Sequence, residues 1–487
     1  MRSPFVIHAC AWIGALVTSA SVAVAQPSGA PPPVAASEAP RAGELRLDDV
    51  LANLDTQLPL LTSIEQERVI ADAQALSAEG GFDPLVRARA TTIPTGPYPQ
   101  DRVDFLVEQP TAIWGAKLFG GYRISRGDIA PYDGKLVTGG WGEGRLGVAV
   151  PVWRDGPIDK RRAALQKAEL GQESAGQSVQ AKRIKVYLGA SLRYWKWVGA
   201  GRKVAIERDL LDLALTRAAQ VSARVERGDV PAYERTENER VVEQRRARLV
   251  AASRELEQAA ISLSLYYRGD DGAPRLPDAS RVPNAVPEPA TLVPDQARDE
   301  RVALENRPEL RSLEAKRRQA EVDRRLADNQ RKPAIDLIVA GAKDFGPADD
   351  KILKPELEAS LVLEIPILTR VQDGRFKEAE AKMTSIAAEA RFARDSVVAD
   401  VRDAASATRA AQGKLEALRR EIEASSALVT AETQRFSLGE TTLLIVNLRE
   451  QALADARKRE VDALVEYRQA LAARTAALGQ LPVTRPR

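Results

Sequence analysis

The sequence predicts a mainly α-helical chain with a small membrane β part, built as an internal duplication. Three observations carry this expectation. Two stretches, Ile158 to Arg227 and Phe376 to Leu438, are free of proline and long enough for extended helices. Short segments with two-residue alternation flank each stretch. The order helix, strand, strand, long helix, glycine, helix occurs twice along the chain.

The first segment reads as a signal peptide over residues 1–25. Arg2 supplies a positive start, Phe5 to Val17 is mostly apolar, and Ala23-Val24-Ala25 precedes Gln26 as a cleavage pattern. Cys10 invites a lipoprotein reading, but His8 fits a lipobox poorly and Cys10 comes too early. The only histidine and the only cysteine of the chain are His8 and Cys10. The processed chain would therefore hold no thiol nucleophile, no imidazole base and no His or Cys metal ligand. No nucleophile-elbow, phosphate-loop or zinc-helix pattern follows, so no enzyme, cofactor or metal is expected. Charges are abundant and balanced, 71 Lys and Arg against 68 Asp and Glu, a net of +3. A nucleic-acid binder would show a clustered basic excess. No later apolar run reaches the length of a transmembrane helix, so a membrane role falls to β-strands.

Residues 26–43 are rich in Pro, Ala and Ser and read as a flexible N-terminus. A first repeat is expected over 44–267, a Pro-rich linker over 268–299, a second repeat over 300–481 and a short tail over 482–487. The first repeat opens with a helical stretch carrying Leu58-Pro59-Leu60-Leu61, broken at Gly80-Gly81 and followed by a strand candidate, Asp83 to Ala90. The second opens with Arg307-Pro308-Glu309-Leu310, a helix to about Gln330 and a strand candidate from Pro333 to Ala342. Val150-Pro151-Val152-Trp153 then matches Ile365-Pro366-Ile367-Leu368, each before an Asp-Gly pair and a long helix. Each long helix is interrupted once, at Gly228-Asp229 and at Gly439-Glu440.

Leu357 to Ile367 alternates cleanly, with Leu357, Ala359, Leu361, Leu363, Ile365 and Ile367 on one face and Glu358, Ser360, Val362 and Glu364 on the other. Arg145 to Val152 does the same. Four strands are expected in all, two per half. Between them, Thr92 to Gly144 is long for a strand connection, and its glycines and aromatics (Trp114, Phe119, Tyr122, Tyr132, Trp141) suggest an extended external loop or a lengthened hairpin. The long helices carry a narrow stripe of small residues, such as Ala379, Ile386, Ala390, Val397, Val401 and Ala404, with charge around the remainder. Such a stripe suits close, coiled-coil-like packing between long neighbours and a water-filled tube. Four strands cannot close a membrane barrel, because open edges in lipid leave backbone groups unsatisfied. Three copies would give twelve strands around a pore, with the long helices gathered into a helical tube.

Three segments resemble the TolC-type outer-membrane efflux proteins. Glu305-Asn306-Arg307-Pro308-Glu309-Leu310 resembles their N-R-P-E-L repeat start. Arg435-Phe436-Ser437-Leu438-Gly439-Glu440-Thr441-Thr442-Leu443-Leu444 resembles their helical-tip motif. Tyr467-Arg468-Gln469-Ala470-Leu471 to Ala477-Leu478-Gly479 resembles their last helix. The resemblance implies a homotrimer in the outer membrane, with a twelve-stranded barrel in lipid and a long α-helical barrel in the periplasm. It also implies an inner-membrane pump and a periplasmic adaptor docking near the helical tips, for efflux or type I secretion. On this chain the tip turns and adaptor contacts would be Gly228, Asp229, Gly439, Glu440, Thr441 and Thr442. Phe436, Glu234 and Glu237 would stand at the pore constriction. Two departures stand out: Ile445 replaces an acidic residue usual after the second tip, and Pro231 follows Gly228 closely. A periplasmic adaptor or coiled-coil scaffold without a pore is the alternative. Tyr194, Trp195 and Trp197 are expected in helix packing, whereas Trp114, Trp141 and Trp153 border strands and suit an interfacial aromatic belt.

Overall fold

A computed structural model describes residues 43–128, 137–289 and 295–482. The expected signal peptide with His8 and Cys10, the flexible N-terminus up to residue 42, Tyr132, Pro294 and the tail beyond Pro482 lie outside them. The described elements all belong to one unit, Ala42–Arg487.

Among the described residues three helices come first, α1 (Leu47–Leu51), α2 (Leu54–Gln57) and α3 (Pro59–Glu79). Four strands follow, β1 (Leu85–Ile93), β2 (Gln100–Pro110), β3 (Lys117–Gly127) and β4 (Gly142–Pro151). The first hairpin is α4 (Lys160–Glu226) with α5 (Tyr233–Ser264). The second repeat supplies α6 (Gln296–Asn306), α7 (Pro308–Gln330), β5 (Ala334–Phe345), β6 (Glu356–Glu364), and the hairpin of α8 (Arg370–Ser437) and α9 (Leu443–Ala477). At about 1.5 Å per residue, α4 and α8 each run on the order of 100 Å.

The duplication is visible in equivalent local solutions. Both α3 and α7 start with proline in the first turn, Pro59 and Pro308. Proline fits there because its missing N–H has no helical partner to lose. Helix α4 is started by Asp159, whose carboxylate accepts from Arg161 N at 2.7 Å and Arg162 N at 3.0 Å. Arg307, the arginine of the repeat start, donates to Ala476 O at 3.0 Å at the end of α9 and pairs with Asp400 at 2.6 Å. One side chain thereby satisfies an orphan helix carbonyl and ties α7 to α8 and α9.

The largest apolar cluster lies among α4, α5, α8, α9 and the segment entering α1. Trp197 and Tyr467 are fully buried there, with Leu45, Leu263 and Leu415 around them. Tyr194 donates to Leu45 O at 2.9 Å, so the helix-packing expectation for this aromatic group holds. In the linker, Val286 is buried and Arg281 donates to Gly43 O at 3.0 Å and to Tyr267 Oη at 2.9 Å. Arg468 of α9 caps the carbonyls of Pro287 and Glu288.

The sheet corrects the expected strand count. Among the described residues six strands, not four, form one antiparallel sheet in the order β1-β2-β3-β4-β5-β6. The two additional strands, β2 and β3, fall within the long Thr92–Gly144 segment and form a lengthened hairpin there. Their pairing is unbroken from Gln100↔Gly127 to Pro110↔Lys117. The expected sum of twelve strands from three copies therefore no longer follows.

Candidate functional site: a two-faced sheet and two helical tips

Registers place most large apolar side chains of the strands on one side of the sheet, with Leu106, Phe119, Ile338 and Val362 on the other. Val86, Ala88 and Ala90 face Val107, Phe105 and Val103, which continue to Gly120, Tyr122 and Ile124. The same face runs through Leu146 and Val148 of β4, Leu337 and Val339 of β5, and Leu357, Leu361 and Leu363 of β6. The opposite face holds Arg87, Arg89, Arg102, Asp104, Glu108, Arg123, Arg145 and Glu358. Ion pairs cross it: Arg123 to Asp104 at 2.6 Å, Arg102 to Asp104 at 3.0 Å, Arg87 to Glu108 at 3.3 Å, and Arg145 to Glu358 at 3.3 Å.

Burial runs opposite to that of a water-soluble sheet. Phe105, Leu146 and Leu361 are 51 %, 72 % and 66 % exposed, whereas Arg102, Asp104 and Arg123 are half-buried. An outward apolar face and an inward polar face are what a strand bundle in lipid requires. The strands hold 9–12 residues, which suits a tilted membrane crossing. Trp114 and Trp153 stand exposed at the helix-proximal end of the strands, and Trp141 at the other. That is the arrangement of aromatic belts at two interfaces. No helix among the described residues is long and apolar enough to cross a membrane.

The two helical tips are built alike. After α4, Gly228 N–H bonds to Val225 O at 3.0 Å and Asp229 N–H to Arg224 O at 2.9 Å. After α8, Gly439 N–H bonds to Phe436 O at 3.1 Å and Glu440 N–H to Arg435 O at 2.9 Å. Both glycines are left-handed, with φ of +77° and +75°. The pair of reversed bonds satisfies the last carbonyls and turns the chain, which requires that left-handed residue. Around a Cβ built on either glycine nothing lies within 4 Å, so both turns are open on the surface.

Of the other singled-out residues, Thr442 precedes α9 as its N-cap and Thr441 sits in the turn before it. Glu234 lies in the first turn of α5. The Glu237 carboxylate is held by Arg240 at 2.6 and 3.0 Å, and that hydrogen bonding lowers its pKa. Phe436 is half-buried, with the Arg224 guanidinium 5.9 Å from its ring centroid. Thus Phe436 joins the end of α8 to the end of α4, bringing the two tips together, while Glu234 and Glu237 stay on the first hairpin.

Behind the tips lies a set of ionic ties that sequence reasoning missed. Arg217 of α4 holds Glu450 of α9 through two bonds of 2.6 and 2.8 Å and also donates to Asn447 Oδ1 at 2.8 Å. Lys458 bridges Glu207 at 2.7 Å and Asp455 at 2.8 Å, and Lys203 reaches Asp462 at 2.7 Å. Arg245 of α5 bonds to Gln451 of α9. Burial works to lower the pKa of Lys203 and of Lys458, but their carboxylate partners outweigh it and both are raised. No spacing on α4 or α5 singles these residues out, since their partners lie in the other repeat.

Comparisons with known proteins agree with this geometry. Residues 301–480 match the sequence model of a family described as outer membrane efflux protein. No curated protein matches the chain in sequence. Among solved structures, the outer membrane protein VceC of Vibrio cholerae superposes with a TM-score of 0.64 at 15 % identity, covering 89 % of this chain and 96 % of that one. The MtrE outer membrane channel of Neisseria gonorrhoeae, in its open state, gives 0.61 at 17 % identity over 90 % of each chain. The CmeC outer membrane channel of Campylobacter jejuni gives 0.62 at 14 % identity, covering 89 % and 85 %. At these identities the likeness shows a common fold.

Proposed function

We propose that this chain, a member of the outer membrane efflux protein family through residues 301–480, assembles with two further copies into an outer-membrane exit duct. The inverted sheet is the observation that carries the reading. A sheet with charged groups inward and Phe105, Leu146 and Leu361 outward gains nothing in water and suits lipid around an aqueous lumen. The helical hairpins then extend the conduit into the periplasm. The duct itself is passive, and energy enters from an inner-membrane pump reached through a periplasmic adaptor.

The turns at Gly228, Asp229, Gly439, Glu440, Thr441 and Thr442 are the contacts we assign to the adaptor, because they are the ends of both hairpins. Phe436, Glu234 and Glu237 are assigned to the narrow end of the pore. Opening moves one hairpin against the other, at the cost of ties such as Arg217 to Glu450. An adaptor or scaffold without a pore has no use for a sheet of this polarity.

Planar-bilayer recording of the detergent-purified protein, with its mass measured by light scattering, tests the reading. A trimer giving long-lived unitary currents is the expected result. A monomer or dimer that never conducts would remove the shared barrel and the exit duct together.

A further inference from the structure

We infer that three copies close a barrel of eighteen strands, with β2 and β3 built into its wall and β6 of each copy paired to β1 of the next. This rests on the trimeric reading above and departs from the twelve-strand sum that the sequence led to.

The extra hairpin is wall and not appendage, on three grounds. Its outward face continues that of its neighbours, and Val103, Phe105, Val107, Leu118 and Tyr122 are 37–51 % exposed. A hairpin projecting into water would leave all five side chains unpaired with lipid or core. Its inward face is woven into the same ionic lattice, through Asp104 between Arg102 and Arg123 and Glu108 between Arg87 and Lys117. Finally, its inner turn is fastened at the junction of β4 with α4. Trp114 Nε1 donates to Pro151 O at 2.9 Å. A Cβ on Gly115 would stand 2.5 Å from Asp155 O, and one on Gly156 2.7 Å from Trp114 Nε1. Trp114 and Asp155 are both left-handed, at φ of 51° and 68°. Non-glycine residues hold that conformation only where surrounding contacts impose it. The turn therefore lies level with the end of the barrel.

The two free edges fit one another. β1 leaves α3 and β6 enters α8, so β6 meets the β1 of a neighbour antiparallel, and both strands hold nine residues. The inward positions of β1 carry Arg87 and Arg89, and those of β6 carry Glu356, Glu358 and Glu364. Registers that keep the faces matched shift in steps of two, and those that set Arg87 opposite Glu364 or Glu358 pair arginine directly with glutamate. Barrel diameter grows roughly in proportion to strand number, so the lumen is about half as wide again as that of twelve strands. Eighteen is in the range that leaves an aqueous channel.

Nitroxide labels on single cysteines in the full-length protein, with Cys10→Ser as background and the trimer reconstituted in phospholipid nanodiscs, read this directly. Phe105→Cys and Tyr122→Cys should relax with molecular oxygen and be shielded from a water-soluble nickel chelate. Leu106→Cys and Phe119→Cys should show the reverse. If all four sites meet the nickel chelate equally, while the unlabelled protein is still a conducting trimer, the eighteen-strand wall is wrong and the exit duct stands. An unlabelled protein that is neither trimeric nor conducting overturns both.

Discussion

Gly439 shows what a single residue contributes at a tip. Its φ of +75° with no atom within 4 Å of a Cβ means that substitution meets backbone strain alone. Gly439→Ala should cost about 1–2 kcal/mol locally, with amide exchange over residues 435–442 faster by about tenfold and Tm little changed. Gly439→Asn should lose less, because asparagine tolerates the left-handed region. Arg217 presents the opposite case. Its side chain and that of Glu450 are 14 % and 11 % exposed, so Arg217→Ala leaves a mostly buried carboxylate unpaired. A loss of about 3 kcal/mol between the hairpins follows, and single-channel recordings should show a higher open probability. Replacing both partners with leucine should lose much less, and an equal loss would show that the pair does not latch the hairpins. The pH dependence follows from Asp455. Burial raises its pKa, but hydrogen bonds from Lys458 and Gln451 outweigh this and hold it below its usual 3.8. A carboxyl lowered on folding contributes stability above its unfolded value and loses it as pH falls through the folded one. Protection of the α9 amides around residue 455 against exchange, corrected for the intrinsic rate, should therefore be flat across pH 5–8 and fall only below about pH 4.

At the scale of elements, β4 has to carry the inserted hairpin on one side and the second repeat on the other. Gly147 sits at that seam, where a Cβ would collide with Phe119 of β3 and approach Val339 O of β5 at 2.6 Å. Gly147→Ala should weaken the sheet by about 1–3 kcal/mol through overpacking, lowering the yield of heat-resistant oligomer on a gel. Adding Phe119→Ala removes the side-chain clash but not the carbonyl one, so recovery should be partial. The same seam shows where the sequence was legible. The long helices, the two glycine turns and the β6 alternation followed from period and punctuation, and the structure places them within a few residues. β2 was also written in the chain: Val103, Phe105 and Val107 alternate with Arg102, Asp104 and Glu108. Its partner β3 hid the hairpin, because Gly120-Gly121 interrupts its alternation and reads as a turn. Gly121 is needed for closeness, since a Cβ on it would lie 2.8 Å from Phe105 O, whereas one on Gly120 would make only ordinary contacts, and only the pairing reveals that need. The ties from α4 to α9 were equally silent, since no local pattern joins Arg217 to Glu450.

On the scale of the whole molecule, threefold symmetry in the proposed trimer would multiply whatever charge a tip presents to the axis, and pairing within each chain decides how much is presented. The acidic residue usual after the second tip is Ile445 here. Of the remaining tip carboxylates, Glu237 is held by Arg240, Asp229 by Arg227 at 3.0 Å and Glu440 by Arg435 at 3.6 Å. A trivalent cation entering from the periplasmic side then meets three carboxylates per copy that already have a cation partner, with half-buried Glu234 the one constriction carboxylate that has none among the described residues. Block by a cobalt hexammine ion should accordingly be weak in bilayer recordings. Arg240→Gln releases Glu237 in each of three copies at once, and a ring of three freed carboxylates binds a trivalent ion far better than one. The variant should be blocked at concentrations at least tenfold lower, and Glu237→Gln in the same chain should abolish the gain. If the parent channel is blocked strongly and Arg240→Gln changes nothing, Glu237 does not face the pore and the constriction lies elsewhere on the hairpins.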